Sequence, residues 1–336
     1  MFENKQRVIV TGGNGFIGKH FIIRALELGH EVTNLDNLAY AADKKMGVWF
    51  YGNANYSLLH GDITSINSIP EVDVVINFAA ESHVDNSIRG SRHFTQTNTN
   101  GVQNLLELIR TFEPSLRPLL VQISTDEVYG DSLTETFDEE SPLRPSNPYA
   151  ASKAAAEHIV RSYERTYGIN YQIIRMSNNY GRRQYPEKLI ARSIARFLHG
   201  KKALLHGDGS YRRSWLHVED AVEGILKVIT DGNINDTYNI SSGVEMNNNE
   251  VIRKITDFME LDFSDSVEYV LNRPGQDLRY LIEDRKIRAL GWQPKKDFDK
   301  SLRSIISETR TDPHWGSMAP ALVGNPVPYP ENYRPD

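Results

Sequence analysis

The stretch VIVTGGNGFIG, residues 8–18, decides the fold of this chain. It opens with a short apolar run that predicts a buried strand, and an amphipathic pattern over residues 18–28 predicts a helix. Between the two, Gly12, Gly15 and Gly18 form the spacing G-x-x-G-x-x-G. Without side chains, the backbone can turn tightly and approach a pyrophosphate at the helix N-terminus. The stretch therefore predicts a strand–turn–helix unit that binds a dinucleotide.

An acidic residue follows the second predicted strand, residues 31–35. Asp36 lies at the end of that strand, where a carboxylate accepts hydrogen bonds from the adenosine ribose hydroxyls and repels a 2′-phosphate. The pattern therefore favours NAD over NADP as the cofactor. Asp62 and Ile63 follow a third predicted strand, and they fit either the adenine edge of a cofactor or an ordinary turn.

Strands alternate with helical patterns through the first half of the chain. Apolar runs predict strands over 72–78, 119–124 and 171–175, and apolar periodicity predicts helices over 97–112 and 149–167. This alternation implies crossover connections and a parallel sheet with helices on both faces. We therefore predict a doubly wound α/β fold with a parallel Rossmann sheet.

The character of the sequence changes after residue 177. Segments become shorter and turns more frequent, which predicts a smaller, mixed C-terminal lobe. We predict an NAD-binding domain over 1–177, a return segment to it near 214–242, and the second lobe mainly over 178–336. The proline-rich tail from Thr311 predicts a segment that wraps the surface or frays.

The composition excludes several classes of protein. The chain has 336 residues, 39% of them apolar and 24% charged, which is typical of a globular protein. Its net charge of −6 argues against a nucleic-acid partner, and the absence of cysteine excludes disulfides and thiolate zinc sites. We predict no metal site. The N-terminus has no apolar signal core and no stretch is long enough to span a bilayer, so we predict a cytoplasmic location without a membrane partner.

Two adjacent carboxylates follow a buried strand in the segment ISTDEVYG, residues 123–130. Asp126 and Glu127 come directly after Thr125, and such a pair is either a solvated turn or a proton-transfer site. Close carboxylates tend to separate their pKa values, so that one is ionised while the other is protonated. The pattern alone leaves the two readings equally open.

Tyr149 and Lys153 lie one turn apart at the start of the long predicted helix, which Ser146 or Asn147 can cap. A tyrosine with an ordinary pKa near 10 is a poor base at neutral pH. A nearby ammonium, together with the positive nicotinamide of NAD, favours its phenolate. The spacing is common in proteins and gains meaning from the dinucleotide loop in the same chain.

Six segments together resemble the extended short-chain dehydrogenase/reductase superfamily, and more narrowly the nucleotide-sugar 4,6-dehydratases of the dTDP-glucose type. The likeness covers about residues 5–310. Epimerases and decarboxylases of the superfamily share the glycine loop and the Tyr/Lys pair, but they generally have other residues at the two acid positions. The segments are TGGNGFIG, FAAESHVD, ISTDEVYG, NPYAASK, SNNYG and PEKLI.

The resemblance implies a mechanism in three stages. Tyr149 deprotonates the C4 hydroxyl of the sugar, held by Thr125, while hydride passes from C4 to NAD. Glu127 then acts as base at C5 and Asp126 as acid to the departing C6 hydroxyl. Hydride returns to C6, which gives a 4-keto-6-deoxy sugar and regenerates the cofactor.

The resemblance also implies the residues that contact each ligand. His83 could otherwise be an ordinary, partly buried histidine, and the register of Asn248 is blurred by neighbouring asparagines. The implied NAD contacts are Gly12, Gly15, Phe16, Ile17, Gly18, Asp36, Asn37, Asp62, Ile63, Phe78, Ala79, Ala80, Thr97, Tyr149, Lys153 and Asn179. The implied substrate contacts are Ser82, His83, Thr125, Asn178, Lys188, Leu189, His206, Arg213, Asn248 and Arg273.

Three departures from the dTDP-type pattern bear on the nucleotide. His206 stands where tyrosine is usual, residues 272–276 read NRPGQ instead of DRPGH, and Ser241 and Ser242 replace a double glycine. Together with Trp315 and Ala321-Leu322 in the tail, they also resemble UDP-glucose 4,6-dehydratases. A pocket discriminates one methyl group by only about 1–3 kcal/mol. The sequence leaves dTDP-glucose slightly favoured over UDP-glucose.

Other functions remain as alternatives. A UDP-N-acetylhexosamine dehydratase would differ at the C2 pocket, and a 4-epimerase of the same fold would make no use of the two acids. A non-catalytic NAD-binding regulator is disfavoured because the tyrosine, the lysine and both acids are present. The resemblance further implies a homodimer joined through the helices 97–112 and 149–167, each of which should show a second apolar face.

Overall fold

The computed structural model describes residues 4–312. The tail is predicted to begin at Thr311, but Thr311 is the last residue of the helix Phe298–Thr311, and the rest of the tail from residue 313, with Trp315 and Ala321-Leu322, lies outside the described residues. The strands are β1 (Arg7–Thr11), β2 (Glu31–Asp36), β3 (Tyr56–His60), β4 (Val74–Asn77), β5 (Leu119–Thr125), β6 (Tyr171–Met176), β7 (Asn178–Tyr180), β8 (Ala203–His206), β9 (Arg212–His217), β10 (Asp236–Ile240), β11 (Glu245–Asn247) and β12 (Val267–Val270).

Helices connect most of these strands. Short 3₁₀ segments at Pro114–Leu116 and Asp126–Tyr129 add to them, and Thr95–Asn100 is π-helical. None of the helices within residues 4–312 is long and apolar enough to cross a membrane. The α-helices are α1 (Phe16–Glu27), α2 (Met46–Trp49), α3 (Val84–Arg89), α4 (Arg92–Phe94), α5 (Gly101–Arg110), α6 (Pro148–Tyr167), α7 (Leu189–Leu198), α8 (Val218–Asp231), α9 (Asn248–Met259), α10 (Phe263–Ser266), α11 (Arg285–Ala289) and α12 (Phe298–Thr311).

The central sheet has seven strands in the order β10-β6-β5-β4-β1-β2-β3, and every pair in it is parallel. The strand order runs outward in both directions from β1 and β4, which confirms the predicted doubly wound sheet. In such sheets ligands bind outside the carboxyl ends of the strands where the order reverses. The topology therefore places the principal site at the ends of β1 and β4.

Apolar side chains cover both faces of this sheet. Neighbouring residues of β1 point to opposite sides, so that Val10 packs with Phe21 of α1 whereas Ile9 packs with Leu105 of α5 and Val160 of α6. This alternation follows from the two-residue period of a strand. The two helical layers hold the carboxyl ends of the strands in fixed positions.

Two smaller sheets lie outside the central one. The first is mixed, with the order β11-β9-β7, and the second pairs β12 with β8 in parallel. A separate apolar cluster, including Ile194, Ile255 and Leu302, joins α7, α9 and α12 beside them. After β9 the chain returns through α8, and β10 forms the edge of the central sheet next to β6.

The predicted helix over 97–112 differs from the observed one. Helical structure begins earlier, at Arg92, and passes through the π-helical segment Thr95–Asn100 before α5. Asn98 in this segment accepts a hydrogen bond from the backbone of Glu81 at 2.8 Å and donates to Ser152 at 2.9 Å. These tertiary bonds stabilise a wider turn, of a kind that often occurs at functional sites.

The expected second apolar face on α5 and α6 is wrong for the described structure. Gln103 and Arg110 are exposed on α5, and Ala151, His158 and Ser162 are exposed on α6. Most large apolar residues of both helices are buried instead, and Tyr167 at the end of α6, 40% exposed, is an exception. The outward faces are therefore mainly small and polar.

Candidate functional site

An open cleft, with about 730 Å³ of empty space that includes open solvent, lies at the carboxyl ends of β1, β2 and β4. Its position is the one that the reversal of strand order predicts for a ligand. Most of the residues expected to contact a dinucleotide from their sequence positions meet there. Those lining it include Gly12, Gly15, Asp36, Asn37, Tyr40, Asp62, Ile63, Phe78, Ala79, Ala80, Ser82, Thr97 and Glu187.

The glycine loop forms the floor of the cleft. Gly12 has φ +67°, and a Cβ atom there would lie 2.7 Å from the backbone of Ala79. A Cβ atom on Gly18 would lie 2.5 Å from the carbonyl oxygen of Gly12. Both positions exclude a side chain, so the loop exposes its backbone to a ligand at the start of α1. Phe16 and Ile17 lie in the first turn of that helix, with Ile17 packed against the core.

Asp36 ends β2 at the side of the cleft. Its Oδ2 accepts from the backbone N–H of Asn14 at 2.8 Å, and its Oδ1 accepts from that of Leu38 at 2.7 Å. Burial raises the pKa of Asp36, while these two bonds act in the opposite direction. Asn37 beside it donates to Asp62 at 2.8 Å. The oriented carboxylate and the glycine floor together fit the ribose and pyrophosphate of NAD.

The two adjacent acids occupy different environments at the end of β5. Asp126 is only 1% exposed, and its Oδ2 has no hydrogen-bond partner among residues 4–312. Burial, and then the charge of Glu127, raise the pKa of Asp126 well above its ordinary value. Glu127 is half-buried. The surroundings of Asp126 therefore favour its protonated form beside a more accessible carboxylate.

Thr125 connects these acids to one another. Its Oγ1 donates to Asp126 Oδ1 at 3.2 Å and accepts from the backbone N–H of Glu127 at 3.3 Å. The hydroxyl of Tyr149 also interacts with Thr125. The hydroxyl, both acids and the tyrosine expected from the sequence therefore form one group.

Tyr149 and Lys153 project from the start of α6, as expected, but their electrostatics differ from the expectation. Burial, then the charges of Glu127 and Asp126, raise the pKa of Tyr149 above its usual value. Lys153 Nζ donates to the carbonyl oxygen of Ile123 at 2.6 Å, and burial lowers the pKa of Lys153 to about 8. Burial, followed by the neighbouring acids, therefore favours the phenol form of Tyr149 within the chain itself.

A charged cluster lies on the substrate side of the site. Arg273 donates to Asp85 at 2.9 Å, and the ring of His206 lies 3.9 Å from the same carboxylate. Burial disfavours the ionised form of Asp85. The charge and the hydrogen bond of Arg273 together have the larger effect and lower the pKa of Asp85 to about 2. Asp85 was not identified from the sequence, although it ends the segment FAAESHVD.

The remaining basic residues expected at the substrate make backbone contacts. Lys188 Nζ, just before α7 and Leu189, donates to the carbonyl oxygen of Ser82 at 2.6 Å. Arg213 donates to the carbonyl oxygen of Asp277 at 2.9 Å, and its guanidinium lies 4.3 Å from the centre of the Tyr280 ring. These contacts fix the side chains at the edge of the site before a ligand arrives.

Four polar residues near the site differ in their partners. The side-chain oxygens of Asn178 and Asn179 are buried and have no hydrogen-bond partner within the described part of the chain, which suits them to bind ligand donors. His83 instead caps α3, because its Nδ1 accepts from the backbone N–H of Asn86 at 3.3 Å. Asn248 is the first residue of α9, and its backbone N–H donates to the carbonyl oxygen of Tyr211.

One contact across the cleft was missed at the level of sequence. Tyr40, in the long loop after β2, donates to Glu187 Oε2 at 2.9 Å, and its ring packs edge-on against Tyr185. The two partners are far apart in the chain, and the loop has no periodicity that predicts this contact. A signal was available only for Glu187, which precedes the expected substrate residue Lys188.

Comparison with known proteins places the chain in a family. The family model described as GDP-mannose 4,6 dehydratase matches residues 9–305. The chain belongs to this family. The match confirms the resemblance to nucleotide-sugar 4,6-dehydratases of the extended short-chain dehydrogenase/reductase superfamily.

Individual relatives agree with this assignment. The low-salt glycan biosynthesis protein Agl12 of Haloferax volcanii is 41% identical, over 89% of this chain and 97% of its own length. The dTDP-glucose 4,6-dehydratase of Haemophilus influenzae is 40% identical, over 89% of this chain and 96% of its own. The crystal structure of DesIV, the dTDP-glucose 4,6-dehydratase of Streptomyces venezuelae, was solved with NAD bound. It has a TM-score of 0.85 at 37% identity and covers 92% of this chain and 98% of that one.

Proposed function

We propose that this 4,6-dehydratase uses NAD to convert dTDP-glucose into its 4-keto-6-deoxy derivative. The observation that carries the proposal is the buried Asp126, whose pKa is raised well above its ordinary value, beside the half-buried Glu127, with Tyr149 in contact with Thr125. An elimination of water requires one proton acceptor and one proton donor at adjacent carbons. An epimerase needs only the tyrosine, and this pair of acids would have no task in it.

NAD fits the glycine floor and Asp36, and when bound it supplies a positive charge, a hydride acceptor for C4 and later a hydride donor for C6. Tyr149 Oη takes the proton of the C4 hydroxyl, and Thr125 Oγ1 holds that hydroxyl in line. Burial and the two acids favour the phenol, so the phenolate forms only with a cation beside it. The lysine one turn away, Lys153, keeps the helix end bound to the backbone of β5.

Elimination follows once C4 is a ketone, because the hydrogen on C5 then becomes acidic. The Glu127 carboxylate takes the C5 proton, and Asp126 gives its proton to the C6 hydroxyl, which leaves as water. Glu127 exchanges this proton with solvent and then delivers a solvent proton to C5, while C6 receives the hydride. The raised pKa of Asp126 is the property that this acid needs at neutral pH.

The name dTDP-glucose 4,6-dehydratase of the Haemophilus relative supports the nucleotide preference. His206, near Asp85 and Arg273, is the departure that keeps UDP-glucose as the alternative. We propose that Arg273 and His206, positioned by the Asp85 carboxylate, bind the nucleotide diphosphate together with Lys188 and Arg213. Asn178 and Asn248 then contact the sugar, and Asn179 the nicotinamide side.

The proposal is tested by incubating the purified protein with dTDP-glucose and, separately, with UDP-glucose in D₂O, followed by proton NMR. We expect a new C6 methyl signal with deuterium at C5, formed faster from the dTDP sugar. A faster reaction with UDP-glucose would overturn the nucleotide assignment alone. Unchanged glucose, or galactose instead, would overturn the dehydratase assignment.

We also propose a homodimer joined through α5 and α6. The exposed Ala151 and Ser162 of α6 allow two helices to approach closely, and the polar face of α5 suits a hydrogen-bonded contact rather than the apolar one first expected. Light scattering at working concentration should give twice the mass of the chain, and a monomer would contradict the proposal. The cytoplasmic location stays a prediction of the sequence.

A further inference from the structure

We propose that Asn147 is a positioning residue that holds Glu127 for elimination and caps the helix that carries Tyr149. The inference rests on the proposed function, because it assigns Asn147 to one step of that reaction. Asn147 Oδ1 accepts from the backbone N–H of Ala150 at 2.9 Å. The Nδ2 of the same amide donates to Glu127 Oε2 at 3.3 Å.

The chemistry of the two partners sets the orientation of this amide. A backbone N–H can only donate, and a carboxylate can only accept. The amide oxygen must therefore face α6 and the amide nitrogen must face Glu127. Serine, threonine and aspartate can cap a helix equally well, but none of them offers an acceptor to the helix and an N–H donor to a carboxylate at once. Asparagine has the length and the two ends that this position requires.

The surroundings restrict the motion of Asn147. Its side chain is buried, at 6% exposed, and its backbone is extended at φ −137° and ψ 162°, as expected before Pro148. The preceding residue, Ser146, donates to the Asp277 carboxylate. A Cβ atom on Gly275 would lie 2.7 Å from the carbonyl oxygen of Ser146, so the two segments are in close contact. The amide is thus held from both sides.

One side chain therefore joins the two halves of the reaction. Asn147 caps the helix that carries Tyr149, and Tyr149 serves oxidation at C4. The side-chain N–H of Asn147 also donates to Glu127, which serves elimination at C5. With Oε2 held by Asn147, the other oxygen of Glu127 takes the C5 proton. Loss of the N–H should impair elimination more than oxidation.

The experiment compares wild type, Asn147→Ser and Asn147→Asp. Serine keeps a capping oxygen but is too short to reach Glu127, and aspartate keeps the cap but presents a second carboxylate to Glu127. Asp297→Ser is the control, because Asp297 caps α12 through the backbone N–H of Lys300, outside the site. Thermal unfolding, KM, the rate of 4-keto-6-deoxy product and the near-ultraviolet absorbance of reduced nicotinamide are measured for each.

We expect all the variants to unfold near the wild-type temperature. Asn147→Ser should form product about tenfold more slowly at an unchanged KM, with reduced nicotinamide accumulating during turnover. Asn147→Asp should be slower still, because like charges meet at Glu127, and Asp297→Ser should match wild type. If Asn147→Ser fails to fold, the same measurements on Asn147→Asp test the proposal.

Two results would overturn the inference while leaving the proposed function in place. In the first, wild type forms product and Asn147→Ser forms it at the same rate. In the second, oxidation and elimination fall by the same factor, which is the behaviour of a residue that only caps the helix. If wild type forms no 4-keto-6-deoxy sugar from either substrate, the proposed function and this inference both fail.

Discussion

At the scale of single residues, the site depends on a difference between two neighbours. Asp126 is buried behind the end of β5, whereas Glu127 is half-buried and faces the Asn147 amide. Adjacent positions in a 3₁₀ turn point in different directions, so one carboxyl group is buried, with its pKa raised, while its neighbour stays partly exposed. Proton donor and acceptor can then exist together at one pH.

Replacing Glu127 by Gln tests this division of roles. The amide cannot accept the C5 proton, so product formation should fall by about 10²–10⁴-fold. Oxidation at C4 uses Tyr149 and should continue, so that bound nicotinamide is reduced in proportion to the enzyme. Absorbance reports the reduction, and NMR in D₂O reports the loss of deuterium at C5.

Glu127→Gln also separates the dehydratase from an epimerase of the same fold. An epimerase would lose almost no activity and would form galactose. Wild-type rates of the 4-keto-6-deoxy product in this variant would show that Glu127 is not the base. Glu140→Gln, which makes the same change at an exposed acid further along the chain, serves as the control.

The sequence predicts the position of these reactive residues because they are close in the chain or follow strand ends. It does not predict the partners that orient them. Asn147 and Glu127 are 20 residues apart, Tyr40 and Glu187 are 147 apart, and no local period connects either pair. Such contacts depend on how loops fold over the sheet, which single-residue patterns do not encode.

At the scale of elements, the strands and long helices up to residue 175 were predicted because their apolar periods are clear, whereas the elements after residue 177 were not predicted individually. The turn at Thr95–Asn100 was not, since a π-helix has no sequence period of its own and here depends on the tertiary bonds of Asn98. The short β7, β8, β11 and β12 were also missed. Strands of three or four residues carry too little alternation to be read from a sequence.

A buried ion pair joins three of these elements. Arg175 of β6 is 2% exposed and Glu157 of α6 is 0% exposed, and the guanidinium donates to the carboxylate at 2.6 Å. Ser124 of β5 donates to the same carboxylate at 2.5 Å. The pair therefore holds the start of the catalytic turn and the helix that carries Lys153 in one network.

Replacing Glu157 by Gln should destabilise the protein by about 3–5 kcal/mol, because it leaves the Arg175 charge buried without its counter-charge. Urea unfolding gives the value. The double variant Glu157→Met, Arg175→Met should recover part of the loss, since an apolar pair removes both desolvation costs. Equal stability of the single variant and wild type would show that the pair contributes nothing net.

At the scale of the whole molecule, the site holds carboxyl groups that oppose folding once they ionise. Asp277 is 3% exposed and lies beside Ser146. Burial, and the charge of Glu127, raise its pKa from 3.8 to about 6, although Ser146 and Arg213 act in the opposite direction. In the unfolded chain the same group ionises near its ordinary value.

Whether stability rises or falls with pH depends on how many protons Asp277 binds in the folded and in the unfolded state. Between about pH 4 and pH 6 the folded state keeps the proton of Asp277 and the unfolded state has lost it. The free energy of unfolding therefore falls as the pH rises through this interval, by roughly 1.4 kcal/mol for each pH unit. The stabilisation from Asp277 is complete below the pKa that Asp277 has in the unfolded chain, and it is lost above the pKa that Asp277 has in the folded chain.

Replacing Asp277 by Asn should remove this dependence, because the amide keeps an acceptor for Ser146 and has no proton to lose. We expect equal stability near pH 4 and a variant more stable by about 2–3 kcal/mol near pH 7. Urea unfolding across this range measures the difference, with Asp257→Asn, at an exposed carboxylate on α9, as the control. A difference that stays constant with pH would mean that Asp277 ionises alike in both states, and that burial in this loop does not hold its proton.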